Sequence, residues 1–291
     1  MFKRAIFTDE VSQDLERAIA VAKEYGLDGL EIRSVWDKPP QKLTGADVAR
    51  IRTMANDAGL AVCSIASPFY KCEIDNPVER AEHLDILRRC CEIADALGAN
   101  VIRGFTFWRR TPMDDWWDQT LAAFDEPVKI LEASGKTLAI ENEASTMVGT
   151  GKRLRRFLDA LGSDRVGAMW DPANCIFDLD EHETPYPDGY RAIRDRMPHM
   201  HLKDAKLSSE NKPVCTPIGE GTIDFRGQFR ALVEDGYSGY VSLETHWRPT
   251  QLSEDELNRP GGANFSAEGE YASRLCLDNW TRMLNELGIR S

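Results

Sequence analysis

Short β-prone runs alternate with longer segments of helical periodicity along the whole chain, and this alternation occurs eight times. The first repeat joins RAIFTDE, residues 4–10, to DLERAIAVAKEYG, in which apolar residues recur at helical spacing. The next helix, TGADVARIRTMANDAG, is predicted to start from a Thr44 cap and to end at Gly59. Short connections between eight such repeats imply parallel strands joined by right-handed crossovers. The sequence therefore predicts a single (β/α)8 TIM barrel, an α/β fold.

The remaining repeats follow the same rule to the end of the chain. The predicted strands are RAIFTDE, GLEIRS, AVCSIAS, NVIRGFTF, TLAIENE, VGAMWD, HMHLKDA and YVSLETH. The helical segment after the fourth strand, DDWWDQTLAAFDEPVKILEASG, is predicted to be interrupted at Pro127, and a last helix at about 268–288 is predicted to pack on the barrel. An open doubly wound sheet would carry a glycine-rich turn after its first strand, where this chain has TDEVSQD. No linker-like stretch interrupts the pattern, so one domain is predicted over residues 1–291.

Composition narrows the classes of partner. The chain has 36 Lys and Arg against 48 Asp and Glu, and its net charge of −12 disfavours binding to nucleic acid or to an anionic membrane surface. No run of 18 apolar residues and no signal peptide are present. Seven cysteines without a CxxC pair indicate reduced thiols. We therefore expect a cytoplasmic protein that binds neither nucleic acid nor membrane.

Polar residues stand at the ends of four successive predicted strands. In a barrel of this kind, the carboxyl ends of the strands form the active-site face. Buried charges at these positions are costly unless they are paired or bind a metal. Two glutamates, an aspartate and a histidine suit Mn²⁺, Mg²⁺, Co²⁺ or Zn²⁺, and the excess of carboxylates favours Mn²⁺ or Mg²⁺. The four residues are Glu141, Asp171, His201 and Glu244.

Several segments resemble the xylose isomerase-like TIM barrel family of sugar and sugar phosphate isomerases and epimerases. The resemblance covers nearly the whole chain and rests on LAIENE, MWDPAN, HMHLKDA, IGEGTID and GYSGYVSLET, together with the opening FTDEVSQDLERAIAVAKEYGLDGLEIR. It implies that Glu141, Asp171, His201 and Glu244 bind one divalent metal ion. It further implies that Glu141 and Glu244 are the catalytic acid and base, which transfer a proton next to a carbonyl through an enediolate. The expected substrate is a small sugar or sugar derivative.

The chain departs from the family pattern at two positions. Asn174 stands where many members have histidine on the sixth strand, and Glu143 stands where many have histidine on the fifth. An asparagine side chain forms hydrogen bonds to substrate but does not carry a proton. Both residues are predicted to line the substrate site, and both weaken any inference about which sugar is bound. By analogy with the family, a homo-oligomer is expected.

Other polar residues near the strand ends are candidates for substrate binding, and each has a structural alternative. Lys203 either donates to a substrate oxyanion or pairs with Asp204. His246 and Arg248 either clamp a substrate oxygen or, for Arg248, lie at the rim. Arg103 and Arg33 either bind substrate or form an internal ion network with Glu31, and the network is favoured. His199 is interpreted as a buried interior histidine or a second ligand.

Three further functions compete with the isomerase interpretation. The same enediolate chemistry yields a dehydratase or lyase if a β-hydroxyl leaves, as in an inosose dehydratase-like enzyme acting on a keto-polyol. An endonuclease IV-like nuclease needs three zinc ions and further histidines, but His83 is the only histidine before His182. A non-catalytic binding protein on the same scaffold is disfavoured by the four intact ligand positions.

Overall fold

The computed structural model describes residues 1–250 and 261–289. Eight parallel strands form a closed barrel in the order β1-β10-β7-β6-β5-β4-β3-β2, which confirms the predicted (β/α)8 architecture. A short antiparallel pair, β8 and β9, lies outside the barrel sheet. The strands are β1 (Lys3–Phe7), β2 (Gly29–Ile32), β3 (Ala61–Ile65), β4 (Val101–Gly104), β5 (Thr137–Glu141), β6 (Val166–Trp170), β7 (His199–Leu202), β8 (Asp204–Leu207), β9 (Pro213–Thr216) and β10 (Tyr240–Leu243).

Helices connect the strands along the described chain. They are Thr8–Val11, Leu15–Glu24, Gly45–Ala58, Pro77–Leu97, Trp117–Ala122, Asp125–Ser134, Gly151–Leu161, Pro172–Phe177, Tyr190–Ile193, Phe225–Glu234, Gly262–Phe265 and Gly269–Glu286. Thr44 caps its helix as predicted, because its hydroxyl accepts from the Asp47 amide while the Asp47 carboxylate accepts from the Thr44 amide. Gly59 ends that helix in the left-handed conformation, with φ of 72°.

Contacts group the chain into two compact units, Met1–Cys63 with Met200–Ser291, and Ser64–His199. Both borders fall inside strands, one in β3 and one in β7. In the first unit, β1 pairs in parallel with β10 and with β2. In the second unit, β4 pairs with β3 and β5, and β5 also pairs with β6. The prediction of a single domain stays a prediction.

Strand register decides which side chains share a face of the sheet. In the second unit, Arg103 lies opposite Ala139 and Glu141 lies opposite Met169. Successive side chains alternate between faces, so Arg103, Glu141 and Asp171 follow one face. In the first unit, Phe7 lies opposite Glu31, and Ala5 lies opposite Ser242. The same alternation brings Glu31 and Glu244 to one face.

Three local predictions about secondary structure were wrong. The first strand ends at Phe7, and Thr8–Val11 is helical, with the Thr8 hydroxyl donating to the Glu31 and Ser34 carbonyls. The helical interruption falls at residues 123–124, before Asp125–Ser134. Pro127 lies in the first turn of that helix, where its missing N–H costs no hydrogen bond. The segment after β7 forms the β8–β9 hairpin, so strand seven ends at Leu202.

The hydrophobic core includes large side chains that are fully buried, among them Trp170 and Trp280. The seven cysteines all lie in the described part of the chain; none of them forms a disulfide bond, and six are buried. Of the described helices, none is both long and apolar enough to cross a membrane.

Candidate functional site

Glu244 and His201 lie close together in the first unit. Glu244 directly follows β10, and its amide donates to the Leu202 carbonyl at 3.0 Å. His201 belongs to β7 and is fully buried, with its ring edge-on to Phe7 at a centroid distance of 4.9 Å. Nδ1 of His201 lies 3.6 Å from Oε2 of Glu244, and Nε2 lies 3.4 Å from Oε1 of Glu31. The sequence-predicted ligands of this unit therefore come together, with Glu31 beside them.

Arg33 links three carboxylates of the first unit. Its Nε donates to Oδ2 of Asp9 at 2.9 Å, its Nη2 to Oε1 of Glu10 at 2.8 Å, and its Nη1 to Oε1 of Glu244 at 2.8 Å. Asp9 and Glu10 lie in the first turn of the helix Thr8–Val11, where acidic side chains interact favourably with the helix dipole. Arg33 therefore lies in an internal ion network, but its partners are Asp9, Glu10 and Glu244 rather than the predicted Glu31.

The network favours the ionised forms of Glu244 and Glu10. Burial raises the pKa of Glu244, but Lys203, His246, His201 and Arg33 outweigh burial and hold it well below its usual range. Burial likewise opposes ionisation of Glu10, and the nearby His246, Arg248 and Arg33 reverse this effect, so its pKa is also lowered. For Arg33, burial lowers the pKa, but the three carboxylates raise it above its ordinary value. Arg33 is therefore a permanent positive charge in this unit.

Lys203 and Asp204 follow β7 but serve different partners. Lys203 Nζ donates to Oε2 of Glu244 at 3.3 Å. Asp204 accepts from the Gly219 amide at 2.8 Å and the Gly221 amide at 3.0 Å. Its carboxylate thus fixes the GEG turn, and a Cβ on Gly221 would overlap this carboxylate. Two alternatives were predicted for Lys203, donation to a substrate oxyanion and pairing with Asp204. Its contact to Glu244 places the ammonium near the candidate metal ligands.

His246 and Arg248 both contact Glu10. Nδ1 of His246 lies 2.8 Å from Oε1 of Glu10 and 3.7 Å from Oε1 of Glu244. Nη2 of Arg248 donates to Oε2 of Glu10 at 2.9 Å and to the Phe265 carbonyl at 3.1 Å. The Arg248 guanidinium also donates to the Trp247 and Ala267 carbonyls. These contacts make Arg248 an anchor for the chain around it.

In the second unit, Glu141 and Asp171 are held by amide side chains. Nδ2 of Asn174 donates to Oε1 of Glu141 at 3.2 Å and to the Asn142 carbonyl at 2.7 Å. Nδ2 of Asn142 donates to the Asp171 carbonyl at 2.8 Å, and its Oδ1 accepts from the Asp171 amide at 2.8 Å. Arg103 Nη1 donates to Oε2 of Glu141 at 3.2 Å. Asn174 therefore orients Glu141, at the position where many family members have histidine.

Lys71, in the loop after β3, was missed from the sequence. Its ammonium lies 3.4 Å from Oε2 of Glu143, 4.6 Å from the Phe105 ring centroid and 5.6 Å from the Trp108 ring centroid. Burial lowers the pKa of Lys71, and the opposing effects of Glu143 and Glu141 do not restore it. In the sequence, only the position of Lys71 beside the aromatic residues of the loop points to it. Together with Glu143 it forms a polar pair against an aromatic wall.

The loops after β3 and β4 are joined by main-chain hydrogen bonds. The Phe105, Phe107 and Trp108 amides donate to the Phe69, Tyr70 and Cys72 carbonyls at 2.9, 2.8 and 3.0 Å. Tyr70 stacks between Phe69 and Phe107, with ring centroids 3.9 and 4.1 Å away. These three aromatics are buried, so they build the loop core, while Trp108 is partly exposed.

The four sequence-predicted metal ligands are all buried, His201 and Glu244 in the first unit and Glu141 and Asp171 in the second. In the first unit, Glu10, Glu244 and His246 form a candidate metal-ligand group, because each offers a ligand atom within 4.8 Å of the others. His199 is buried in β7, and its predicted interior role stays a prediction.

Comparison with known proteins agrees with this geometry. The family model described as "Xylose isomerase-like TIM barrel" matches residues 19–288. The chain is 23% identical over 252 residues to an inosose dehydratase of Yersinia enterocolitica, covering 77% of this chain and 80% of that protein. It is 22% identical over 267 residues to an inosose dehydratase of Lacticaseibacillus casei, covering 82% and 84% of the two chains.

Solved structures show the same fold. A xylose isomerase domain protein from Planctomyces limnophilus has a TM-score of 0.75 at 15% identity, with 99% of both chains covered. An L-ribulose 3-epimerase has a TM-score of 0.73 at 19% identity, with 99% of this chain and 96% of that chain covered. The IOLI protein with a bound zinc atom has a TM-score of 0.73 at 16% identity, with 98% and 99% covered.

The closed barrel of eight parallel strands and the family match define the class of this chain as a xylose isomerase-like TIM barrel protein. The chain belongs to the xylose isomerase-like TIM barrel family.

Proposed function

We propose that this protein is a divalent-metal-dependent isomerase or epimerase of a small sugar or sugar derivative. It would transfer a proton next to a carbonyl through an enediolate. The observation that carries the proposal is that three carboxylates and one imidazole are all buried at or near the ends of barrel strands, at Glu141, Asp171, His201 and Glu244. Epimerases among proteins of the same fold support the same assignment.

The donor set fits a divalent cation. Three carboxylates and one imidazole match the preferences of Mn²⁺ and Mg²⁺, and they also admit Co²⁺ or Zn²⁺. The zinc atom of the IOLI protein supports a divalent ion in this fold. A cation bound by these residues would supply Lewis-acid stabilisation of negative charge on the substrate oxygens. We assign Mn²⁺ or Mg²⁺ as the cofactor because carboxylates predominate.

Glu141 and Glu244 are the proposed catalytic acid and base. Each accepts a hydrogen bond from an arginine, Glu141 from Arg103 at 3.2 Å and Glu244 from Arg33 at 2.8 Å. These contacts orient both carboxylates, and the surrounding positive charges hold the pKa of Glu244 well below its usual range. One carboxylate would take the proton from carbon, and the other or the same one would return it. Asn174 would position Glu141 without carrying a proton.

Lys203, Lys71 and Glu143 are proposed to bind substrate oxygens. The Lys203 ammonium already contacts Glu244, so it can donate to an oxygen that Glu244 also approaches. Lys71 and Glu143 offer a donor and an acceptor beside Trp108, a combination that suits a polyhydroxyl compound with an apolar face. His246 and Arg248 are proposed as positioning residues through Glu10 rather than as direct clamps.

Dehydration of a keto-polyol is the second candidate, and the inosose dehydratase relatives favour it. The first step would be the same removal of a proton from carbon by a carboxylate. The carbon–oxygen bond of a β-hydroxyl would then break, and an acid would protonate the leaving oxygen to give water. Lys71, whose pKa is lowered by burial, is a candidate for that acid.

Metal content and solvent exchange test these proposals together. We expect about one Mn²⁺ or Mg²⁺ per chain by elemental analysis of protein purified without chelator. Glu244→Gln should lose the ion, whereas Glu220→Gln, a change at an exposed glutamate, should retain it. No bound metal after addition of Mn²⁺ would overturn the proposed mechanism.

Substrate screening in D₂O separates the two reactions. Ketoses and inososes would be incubated with metal-loaded enzyme and followed by NMR. An isomerase or epimerase should incorporate deuterium and form a sugar of unchanged composition. A dehydratase should release water and form an unsaturated or dicarbonyl product. Release of water without any isomerised sugar would replace the first candidate by the second.

A further inference from the structure

Arg33 lies where three carboxylates of the first unit converge. It donates to Asp9, Glu10 and Glu244 at 2.8–2.9 Å, and its side chain is 4% exposed. The Phe7 and Phe265 rings also face the guanidinium, at 4.6 and 4.8 Å from their centroids. A cation held in this way is desolvated and has no freedom to leave. Its positive charge offsets the mutual repulsion of the three carboxylates.

The same carboxylates, with His246, also make a metal-ligand group. Glu10, Glu244 and His246 each offer an atom within 4.8 Å of the others. Two carboxylates and an imidazole are a ligand set that divalent first-row metals accept. The oxygens nearest to His246 Nδ1 are Oε1 of Glu10 and Oε1 of Glu244, which are the two oxygens that Arg33 uses.

His246 gives independent evidence for a cation position. Its side chain is more than nine-tenths buried, and Nδ1 points at Glu10 from 2.8 Å. Within the described residues, Nδ1 nevertheless makes no hydrogen bond of acceptable geometry. The imidazole nitrogen and the carboxylate oxygens that it faces are arranged as ligand atoms are around a bound cation.

We propose that Arg33 is a built-in cation that fills the place of a second divalent ion among Glu10, Glu244 and His246. Arg33 thereby limits the protein to one metal ion. It also engages Oε1 of Glu244 and leaves Oε2 directed towards His201, 3.6 Å from Nδ1. The proposal rests on the proposed function in treating Glu244 as a ligand of the first metal.

Replacement of the guanidinium tests the proposal. Arg33→Gln removes the charge and keeps a polar side chain, so the vacated carboxylates should recruit a metal ion. Elemental analysis after equilibration with Mn²⁺ and desalting should give about two ions per chain for Arg33→Gln and about one for the wild type. Arg33→Lys, which keeps the charge, should stay at one. Arg33→Gln/Glu10→Gln, which removes a ligand as well, should return to one.

Folding is followed in the same samples by circular dichroism and thermal melting. Arg33→Gln should melt at a lower temperature than the wild type in EDTA and recover more on addition of Mn²⁺. A folded Arg33→Gln that binds no more ions per chain than the wild type would overturn the proposal. A variant that fails to fold even with Mn²⁺ would overturn it too, because a metal would then not replace the guanidinium.

The outcome also separates this inference from the proposed function. A wild type without metal and an Arg33→Gln variant with one ion would support the built-in cation and refute the proposed four-residue site. One ion in both proteins would leave the four-residue site intact and refute the built-in cation.

Discussion

Asp204 joins the end of β7 to the GEG turn, and its protonation should affect stability. Burial raises its pKa to about 6, although the amides of Gly221, Gly219 and Ala205 act in the opposite direction. Because its pKa is higher in the folded state than the usual 3.8, protonation favours folding. Its contribution should therefore be largest below about pH 4 and be lost as the pH rises to about 6.

Asp204→Asn provides the measurement. Urea unfolding of the wild type and the variant at pH 4, 5, 6 and 7 should show the wild type losing roughly 3 kcal/mol relative to the variant across this range, since each pKa unit corresponds to about 1.4 kcal/mol. A difference in unfolding free energy that does not change with pH would contradict the prediction.

Glu10 has the opposite pH dependence. It accepts hydrogen bonds from Arg33 and Arg248, and its pKa is lowered. Glu10→Gln leaves two buried guanidinium groups undercompensated, and we expect a loss of about 3–5 kcal/mol at pH 7. The wild-type advantage should decline as the pH falls below about 4.5, because the folded-state pKa lies below that of the unfolded chain.

Glu270→Gln is the matched control, because Glu270 also pairs with two arginines, Arg17 and Arg274, but at the surface. It should cost less than about 1 kcal/mol. If chemical denaturation at pH 7 gave the same loss of unfolding free energy for both variants, burial would not explain the cost of Glu10→Gln.

At the level of single residues, the position of a residue on a strand was easier to predict from the sequence than its hydrogen-bonding partners. Glu141, Asp171, His201 and Glu244 were singled out from the sequence because each lies at or near the end of a strand, and their role as ligands stays a prediction. The partners of Arg33 were not, because they depend on a helical turn at Thr8–Val11 that replaced the predicted end of strand one. Lys71 depends on loop geometry, for which the sequence has no periodic signal.

At the level of elements, helices with clear caps were predicted well. Thr44 and Gly59 bound their helix as expected because capping is a local interaction between near neighbours. The β8–β9 hairpin was missed because the predicted strand HMHLKDA ran across the start of β8, and because β9 begins with Pro213, a residue that disfavours a strand assignment. Pro127 misled the prediction because proline is tolerated in the first turn of a helix.

The GEG turn gives a prediction at this scale. Gly221→Ala would place a Cβ against the Asp204 carboxylate and the Ala205 carbonyl, so the turn must shift. We expect a loss of about 1–3 kcal/mol in urea unfolding. Gly45→Ala, in a helix where the added Cβ meets nothing within 4 Å, should be neutral or stabilise by about 0.5–1 kcal/mol. A Gly221→Ala protein as stable as Gly45→Ala would show that the turn adapts freely.

At the level of the whole molecule, the barrel followed from the number and order of the repeats. Eight alternations with short connections leave few parallel topologies, so errors at strand ends did not affect the architecture. The type of reaction could not be predicted from the fold in the same way. Isomerases, epimerases and dehydratases share this scaffold, and their functions depend on the residues of the site.

Metal binding should stabilise the whole fold. A ligand that binds only the native state adds about 2.7 kcal/mol at a free concentration of 100 times its Kd. The wild type should therefore melt at a higher temperature in Mn²⁺ than in EDTA. Glu244→Gln should show little of this shift, whereas Glu220→Gln should retain it. An equal shift in all three proteins would indicate that Mn²⁺ binds elsewhere.

The hydrogen-bonded loops after β3 and β4 have a consequence for changing substrate preference. Tyr70 and Phe107 are stacked and are tied together through main-chain groups, so replacement of either ring disturbs both loops at once. Trp108 and Lys71 belong to this hydrogen-bonded frame, and the Lys71 ammonium lies 5.6 Å from the Trp108 ring centroid. On the proposed function, a change of substrate preference is best sought by varying positions 71 and 108. The stacked aromatics should be kept, because they hold the backbone of both loops in place.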